Sequence, residues 1–250
     1  MKHDLQMKEE SAFPKVIFFD ADGTLFDNFE AHTKAVEAML QDLGREDIDP
    51  REFHKQWDNK MFPFHRHVQK AHRFLPISHI MTKCLRKALK EHEIIIDNKR
   101  LEKYVTMTRN SFINLGIPFD DTRPALEFLR DQDYDLHVIS NADMDLYKQL
   151  TRMQLSSFFK RTITSYEAKS YKPLRPIFLK ALSVAHCSAD DAVMVGDSIE
   201  NDVIGASRIG MITVLINRSL TCGPRKTTAH HIRPDYVVSD LREIGTKVKL

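Results

Sequence analysis

The chain has 250 residues, of which 42% are hydrophobic and 29% charged, a composition typical of a water-soluble globular protein that can bury a substantial core. Its 37 Lys and Arg residues nearly balance 35 Asp and Glu residues, and a net charge of +2 excludes the overall basic excess of a nucleic-acid-binding protein. The three cysteines lie far apart without metal-binding spacing, which indicates free thiols in a reducing compartment.

Residues 1–14 are polar and mixed in charge, so we expect a flexible N-terminus. They lack the apolar centre of a signal peptide, and no later apolar run approaches the length of a membrane span. We therefore expect a cytoplasmic protein with neither a membrane nor a nucleic acid as partner.

A strand and an acidic turn come next. The unbroken apolar run Val16–Phe19 predicts a strand buried on both faces of a parallel sheet, and Asp20, Asp22, Gly23 and Thr24 follow it. Because ligands bind beyond the carboxyl ends of such strands, this turn is a candidate site. A structural turn is the alternative, since Asp-Gly is a common turn dipeptide. An EF-hand loop is excluded, because it needs Asp or Asn where Thr24 stands and Gly one residue later.

Helical periodicity dominates residues 28–117. The first helix of this segment is predicted to end at Gly44, because glycine is favoured just after a helix. Residues 49–75 are less regular. Since Pro63 and Pro76 interrupt the pattern, we expect short helices with a loop in this part of the chain.

Two further helices complete the segment. Ser78 is predicted to cap the first of them, since a serine side chain at this position accepts a hydrogen bond from a free backbone N–H. The second is predicted over residues 98–115 and is ended by Gly116 and Pro118. Its inward face is predicted to comprise Leu101, Tyr104, Val105, Phe112 and Leu115.

Strands and helices alternate after residue 118. Short apolar runs each lead into polar residues, and they lie at 136–139, 162–164, 192–195 and 211–216, with an edge strand at 236–238. Such alternation predicts βαβ units. We therefore predict an α/β fold, Rossmann-like, in which helices flank a mostly parallel sheet and an all-helical domain is inserted after the first strand.

The carboxyl ends of these strands should bring a set of reactive side chains together. Carboxylates from two strands, with a lysine and hydroxyl groups, suit Mg²⁺ and a phosphate, because Mg²⁺ prefers oxygen ligands and shares its octahedron with substrate phosphate. Acids alone would repel a phosphate dianion, so the metal and the lysine are both required. Each residue taken singly could be a helix cap or a surface charge, but their joint occurrence at strand ends favours function. The set is Asp20, Asp22, Thr24, Ser140, Asn141, Lys172, Asp197 and Asp202, with Gly23 and Gly196 allowing backbone amides to approach the phosphate.

These motifs resemble those of the haloacid dehalogenase superfamily of aspartate-nucleophile phosphohydrolases. The resemblance extends over about residues 15–240 and is specific, because four motifs occur in order. It implies a haloacid dehalogenase-type catalytic core of residues 15–27 and 118–250, with a small helical cap domain of the C1 type at 28–117. The motifs are Asp20-Ala-Asp22-Gly-Thr24, Val138-Ile-Ser140-Asn141, Lys172-Pro173 and Gly196-Asp197-Ser-Ile-Glu-Asn-Asp202.

The resemblance also implies a role for each residue. Asp20 would attack phosphorus and form an aspartyl-phosphate, and Asp22 would act first as general acid and then as general base. Mg²⁺ would be held by the side chains of Asp20 and Asp197 and by the backbone carbonyl of Asp22, with Asp202 in support. The phosphoryl oxygens would be bound by Gly23, Thr24, Ser140, Asn141 and Lys172.

Several activities occur in this superfamily. Asp22 and Asp197 favour a phosphatase over a metal-free dehalogenase, whereas a phosphomutase, a phosphonatase and a non-catalytic phosphate-binding regulatory protein remain alternatives. The expected substrate is a small phosphorylated metabolite such as phosphoglycolate, a sugar phosphate or a nucleoside monophosphate. The sequence does not distinguish a monomer from a homodimer.

The basic stretch 65–79 of the helical segment is a further candidate. Its histidines and arginines could contact an anionic substrate or bind zinc, but no spacing supports either role, and a solvated loop or helix face is the favoured interpretation. The basic loop at 218–233 is interpreted in the same way, as a mobile loop.

Overall fold

The computed structural model describes residues 15–70, 74–218 and 232–248, with the backbone alone for residues 62–70. The N-terminus predicted to be flexible lies outside the described residues. So do most of the basic loop 218–233 and the side chains of residues 65–73 in the basic stretch, so the predictions for these segments stay predictions.

A six-stranded parallel sheet forms the centre of the fold. Within the described ranges, the strands are β1 (Val16–Phe19), β2 (Phe26–Asp27), β3 (Ile117–Pro118), β4 (Asp135–Ser140), β5 (Arg161–Thr164), β6 (Ala192–Gly196), β7 (Ile212–Ile216) and β8 (Tyr236–Val238). The sheet has the order β5-β4-β1-β6-β7-β8, and every pairing in it is parallel. The predicted α/β fold, including the edge strand β8, is confirmed.

Strand β1 lies between β4 and β6. Its last residue, Phe19, is in register with Val138 of β4 and Val195 of β6. Because parallel strands in register end at the same edge of the sheet, this pairing brings the residues after β1, β4 and β6 together.

Helices cover both faces of the sheet. In chain order they are α1 (Phe29–Asp42), α2 (Pro50–Lys70), α3 (Ile77–Glu91), α4 (Asn98–Leu115), α5 (Thr122–Asp131), α6 (Asp145–Arg152), α7 (Ser165–Ala168), α8 (Arg175–Ala185), α9 (Ile204–Ser207) and α10 (Ile244–Lys247). Short helical turns lie at Ser156–Phe158 and Leu241–Glu243, and a turn of π-helix at Ile199–Val203 precedes α9. Among the described residues, no helix combines the length and the apolar character that a membrane span requires.

The alternation of side chains along β1 divides the core of the sheet in two. Ile17 and Phe19 pack on one face with apolar residues of α5 and α6, whereas Val16 and Phe18 pack on the other with residues of α8 and α9. Both faces of β1 are therefore buried, as its unbroken apolar run predicts.

Helices α1 to α4 share a hydrophobic cluster of their own, with Trp57, Leu85 and Tyr104 among its buried members. The chain leaves the sheet region through β2 and returns through β3, and these two strands pair as an antiparallel ribbon. For the described residues of 28–117, the helical prediction is confirmed except for β3 at the end of the segment.

The prediction of short helices and a loop between residues 49 and 75 is wrong. Helix α2 runs without a break from Pro50 to Lys70 and contains Pro63. A proline inside a helix removes one hydrogen bond but does not have to end the helix. The burial of Phe53 and Trp57 in the helical cluster stabilises α2 and outweighs this local penalty.

Ser78 does not cap α3, because it lies inside the helix, which begins at Ile77. The free N–H groups of Ile77 and Ser78 instead donate to the two carboxylate oxygens of Asp143, at 2.9 and 3.0 Å. The cap is thus a side chain from the loop after β4, a long-range contact that no local pattern reveals.

Helix α4 has the predicted bounds, and Leu101, Tyr104 and Val105 are buried as predicted. Leu115 is exposed, so its assignment to the inward face is wrong. The hydrophobic cluster of the four helices reaches along α4 only as far as Phe112, which leaves the last turn in contact with solvent.

Candidate active site

A buried lysine is the centre of the candidate site. The ammonium group of Lys172 lies 2.7 Å from Asp20 Oδ1 and 2.6 Å from Asp202 Oδ1, and it donates a third hydrogen bond of 2.9 Å to the carbonyl oxygen of Ile139. All three N–H donors of the ammonium group therefore have partners. Asp20, which follows β1, and Asp202, in the π-helical turn after β6, are thus joined through one cation.

The charges of this group affect one another strongly. Burial alone would lower the pKa of Lys172, but contacts with Asp20 and Asp202 raise it, and the net shift is upward. Burial raises the pKa of Asp202 to about 7; the attraction of Lys172 opposes this shift, and repulsion from Asp20 and Asp197 adds to it. Lys172 therefore stays charged, while the negative charges of the neighbouring carboxylates repel one another.

Two glycines leave room for these carboxylates. A Cβ atom on Gly196 would lie 2.3 Å from the carboxylate of Asp202, and one on Gly23 would lie 2.5 Å from Asp197 Oδ2. Gly23 also has a φ of +82°, which disfavours other residues. The space beside each glycine thus holds an acidic side chain of the site, whereas the predicted approach of backbone amides to a phosphate stays a prediction.

Three carboxylates could hold a metal ion. One oxygen each from Asp20, Asp197 and Asp202 can be chosen so that all lie within 4.8 Å of one another. One ammonium group offsets only part of their charge, so a divalent cation fits the site electrostatically, and an all-oxygen donor set is what Mg²⁺ prefers. The resemblance implied the side chains of Asp20 and Asp197 and the carbonyl of Asp22 as ligands, with Asp202 in support. In the structure Asp202 contacts Lys172 and also lies close enough to be a ligand itself, while the metal roles stay predictions.

The loop after β4 holds Lys172 in place. The side-chain amide of Asn141 donates to the carbonyl oxygen of Lys172 at 3.1 Å, and its oxygen accepts from the backbone N–H of Lys172 at 2.7 Å. The backbone N–H of Ser198 donates to Asp202 Oδ2 at 3.0 Å, which orients the other partner of the lysine. These positioning contacts are not predictable from the motifs taken one at a time.

A cavity of about 310 Å³ lies between the strand ends and helices α1 to α4. Of the predicted site residues, Asp22, Gly23, Ser140 and Asn141 line it. Asp20, Lys172, Asp197 and Asp202 are not among its lining residues. Neither is Thr24, which is completely buried and whose Oγ1 has no hydrogen-bond partner among the described residues. A contact of Thr24 with phosphate therefore stays a prediction, as do the roles of the other residues.

The helical segment contributes polar side chains that sequence reasoning missed. They line the cavity and are His32, His54, Asp58 and Arg109. The signal that could have indicated two of them is the i, i+4 spacing of His54 and Asp58, which places both on one face of α2. Burial lowers the pKa of His32 to about 4; Asp58 opposes this shift and His54 adds to it, so His32 is neutral near pH 7.

Hydrogen bonds and an ion pair hold the helical segment over the strand ends. Arg109 of α4 pairs with Asp145 of α6. The side chain of Gln149 in α6 donates to Asn28 Oδ1 at 2.6 Å and to the carbonyl oxygen of Phe112 at 2.9 Å. Together with the Asp143 cap of α3, these contacts fix the walls of the cavity.

The comparisons with known proteins agree with this geometry. Residues 17–216 match the family model described as haloacid dehalogenase-like hydrolase. A glyceraldehyde 3-phosphate phosphatase from Methanothermobacter thermautotrophicus is 32% identical over 51% of this chain, and the match spans 57% of that relative. The N-acylneuraminate-9-phosphatase of the mouse is 25% identical over 92% of each chain.

The fold has a solved counterpart in the HAD-hydrolase YfnB from Bacillus subtilis, a structure with bound magnesium. It superposes with a TM-score of 0.79 over 95% of this chain and 100% of that one, at 20% identity. The curated relatives described above are named as phosphatases. Because the family model covers most of the sequence, the chain belongs to the haloacid dehalogenase-like hydrolase family.

Proposed function

We propose that the chain is a Mg²⁺-dependent phosphatase that hydrolyses a small phosphorylated metabolite through an aspartyl-phosphate on Asp20. The observation that supports this proposal best is the buried Asp20–Lys172–Asp202 network beside Asp197. Asn141, which lines the cavity, is hydrogen-bonded to the backbone of Lys172 and so connects the network to the cavity. A positively charged lysine 2.7 Å from the carboxylate of Asp20 would stabilise the negative charge of a phosphoryl group transferred to that carboxylate.

Each residue of the site has a separate role in the proposed reaction. Asp20 attacks phosphorus, the bond to the leaving oxygen breaks, and water then hydrolyses the aspartyl-phosphate. Asp22 is exposed to the cavity, where it protonates the leaving oxygen and later takes a proton from the attacking water. Ser140 binds a phosphoryl oxygen, and Lys172 binds another by exchanging one of the three partners of its ammonium group for it. Mg²⁺, when bound by the carboxylates, offsets the charge of the phosphate and of Asp20.

The leaving group occupies the cavity of about 310 Å³, and residues 28–117 act as a cap that excludes bulk water and selects the substrate. The volume suits a small metabolite. The names of the relatives, glyceraldehyde 3-phosphate phosphatase and N-acylneuraminate-9-phosphatase, favour a sugar phosphate or a related compound. A cytoplasmic location stays a prediction, and the choice between monomer and homodimer stays open.

The test is phosphate release from a panel of phosphorylated metabolites, with Mg²⁺ and with EDTA. Asp20→Asn should abolish release, since an amide is a poor nucleophile, and Asp22→Asn should lower it by about 10²- to 10⁴-fold through loss of the general acid. Asp131→Asn, at an exposed carboxylate that pairs with Arg130, is the matched control and should leave the rate unchanged. Wild-type activity in Asp20→Asn, or activity that EDTA leaves intact, would contradict the proposal.

A further inference from the structure

Three side chains of the helical segment form a second cluster of metal-ligand type. Asp58 Oδ2 lies 2.9 Å from His54 Nε2, and Asp58 Oδ1 lies 3.5 Å from His32 Nδ1. One donor atom from each residue can be chosen so that all lie within 4.8 Å of one another. His54 and Asp58 are one turn apart on α2, and His32 approaches them from α1, so the helix packing itself brings the three together.

The surroundings fix both imidazole rings. His32 and His54 are buried, and their ring centroids are 3.9 Å apart. Thr33 Oγ1 lies 3.0 Å from Nδ1 of His54, the nitrogen that does not face Asp58. A hydrogen-bond partner on the second nitrogen is characteristic of histidines that bind metals, because it sets the tautomer and the ring orientation.

His32 has an interaction missing. Its Nε2 is buried and has no hydrogen-bond partner among the described residues, and the contact of its Nδ1 with Asp58 is long for a hydrogen bond. Of the two ring nitrogens, Nδ1 is the one that faces Asp58, and a separation of 3.5 Å, too long for a hydrogen bond, is compatible with both atoms binding one ion. A neutral imidazole offers a lone pair to a metal ion.

We propose that His32, His54 and Asp58 bind a divalent transition-metal ion of the zinc class, at a site separate from the carboxylates around Lys172. Two imidazole nitrogens and one carboxylate oxygen suit Zn²⁺, whereas Mg²⁺ prefers oxygen ligands alone. Three protein ligands leave a coordination position open. All three residues line the cavity that Asp22 also lines, so the site adjoins the cavity.

Isothermal titration of the full chain with Zn²⁺, in saturating Mg²⁺, tests the proposal. The wild type should bind one Zn²⁺ at this site. His32→Ala, His54→Ala and Asp58→Asn should each weaken binding by at least about 100-fold, and Thr33→Val, which removes the partner of His54, by about 10- to 100-fold. His92→Ala is the matched control, because His92 contacts Gln56 in the same segment but lies outside the cluster.

Two further measurements keep the test decisive. Asp58 is exposed, so Asp58→Asn should fold normally; Zn²⁺ should raise the unfolding temperature of the wild type but not that of this variant. Co²⁺ in place of Zn²⁺ should give the visible absorption of a nitrogen- and oxygen-bound ion, and His54→Ala should abolish it.

The contrary outcomes are equally specific. Binding that persists in all three ligand variants would overturn the proposal. So would binding that disappears in Asp20→Asn, or in a triple alanine variant of His65, His67 and His72, because the ion would then occupy another site. Absence of Zn²⁺ binding by the wild type would show that Asp58 and the two histidines are only a hydrogen-bonded cluster.

Discussion

Replacement of Lys172 by methionine should destabilise the protein strongly. Lys172 is buried and contacts Asp20 and Asp202, both also buried. Removal of one partner from a buried ion pair leaves an uncompensated charge and typically costs about 3–5 kcal/mol, a large part of the roughly 5–15 kcal/mol that stabilises a typical domain. Lys172→Met preserves side-chain length, so the loss should come from charge rather than from a cavity.

Urea unfolding at pH 7.5 in EDTA measures this loss. Without Lys172 the pKa of Asp202, already raised to about 7 by burial, should rise further and favour the protonated carboxyl. The double variant Lys172→Met/Asp202→Asn should recover part of the loss, because an amide is neutral in the interior without a counter-charge or a proton, and Mg²⁺ should also stabilise the single variant. Lys180→Met is the control, since this exposed lysine donates to the carbonyl oxygen of Glu167 and its loss should change stability by less than about 0.5 kcal/mol. If Lys172→Met unfolds within about 1 kcal/mol of the wild type in EDTA, the buried ion pair does not stabilise the fold and our reasoning is wrong.

Three other changes test separate contacts. Gly196→Ala should displace Asp202, since the new Cβ would lie 2.3 Å from its carboxylate, and phosphate release should fall while circular dichroism stays native. The pKa of His137, a buried residue of β4, is lowered to about 4, mainly by burial, so this residue should contribute a loss of up to about 3 kcal/mol as pH falls from 6.5 to 4. His137→Phe should remove this contribution in urea unfolding and leave the similar contribution of His32. Asp143→Ala should uncap α3 at a cost of about 1 kcal/mol and raise KM more than it lowers kcat, as steady-state kinetics will show; an unchanged KM would mean that this cap does not position the cavity wall.

The sheet and its reactive edge were predictable because their signals are local. Unbroken apolar runs such as Val16–Phe19 have few alternatives to a buried parallel strand, and the acids that follow them must gather at one edge. The contacts between Lys172, Asp20 and Asp202 agree with what the motif order suggests.

The helical segment was less predictable because its decisive contacts are not local. The cap of α3 comes from Asp143, 66 residues away from Ile77, so the rule that assigned this role to Ser78 could not find it. His32 meets Asp58 only because α1 and α2 pack together, and helical periodicity does not state which helices are neighbours. Pro63 led to a wrong prediction for a different reason. A proline predicts a helix break, but burial of other residues in α2 outweighs this local penalty and the helix continues.

The loop after β4 connects the two halves of the proposed enzyme. Asn141 in this loop fixes the backbone of Lys172, and Asp143, two residues later, fixes the first turn of α3. A displacement of α3 would therefore also displace Asp143, and with it the short loop in which Asn141 positions Lys172. In the proposed reaction, the position of the helical segment and the alignment of Lys172 with Asp20 are for this reason coupled. Substitutions at either end of the loop should affect both the position of the segment and the alignment of the lysine.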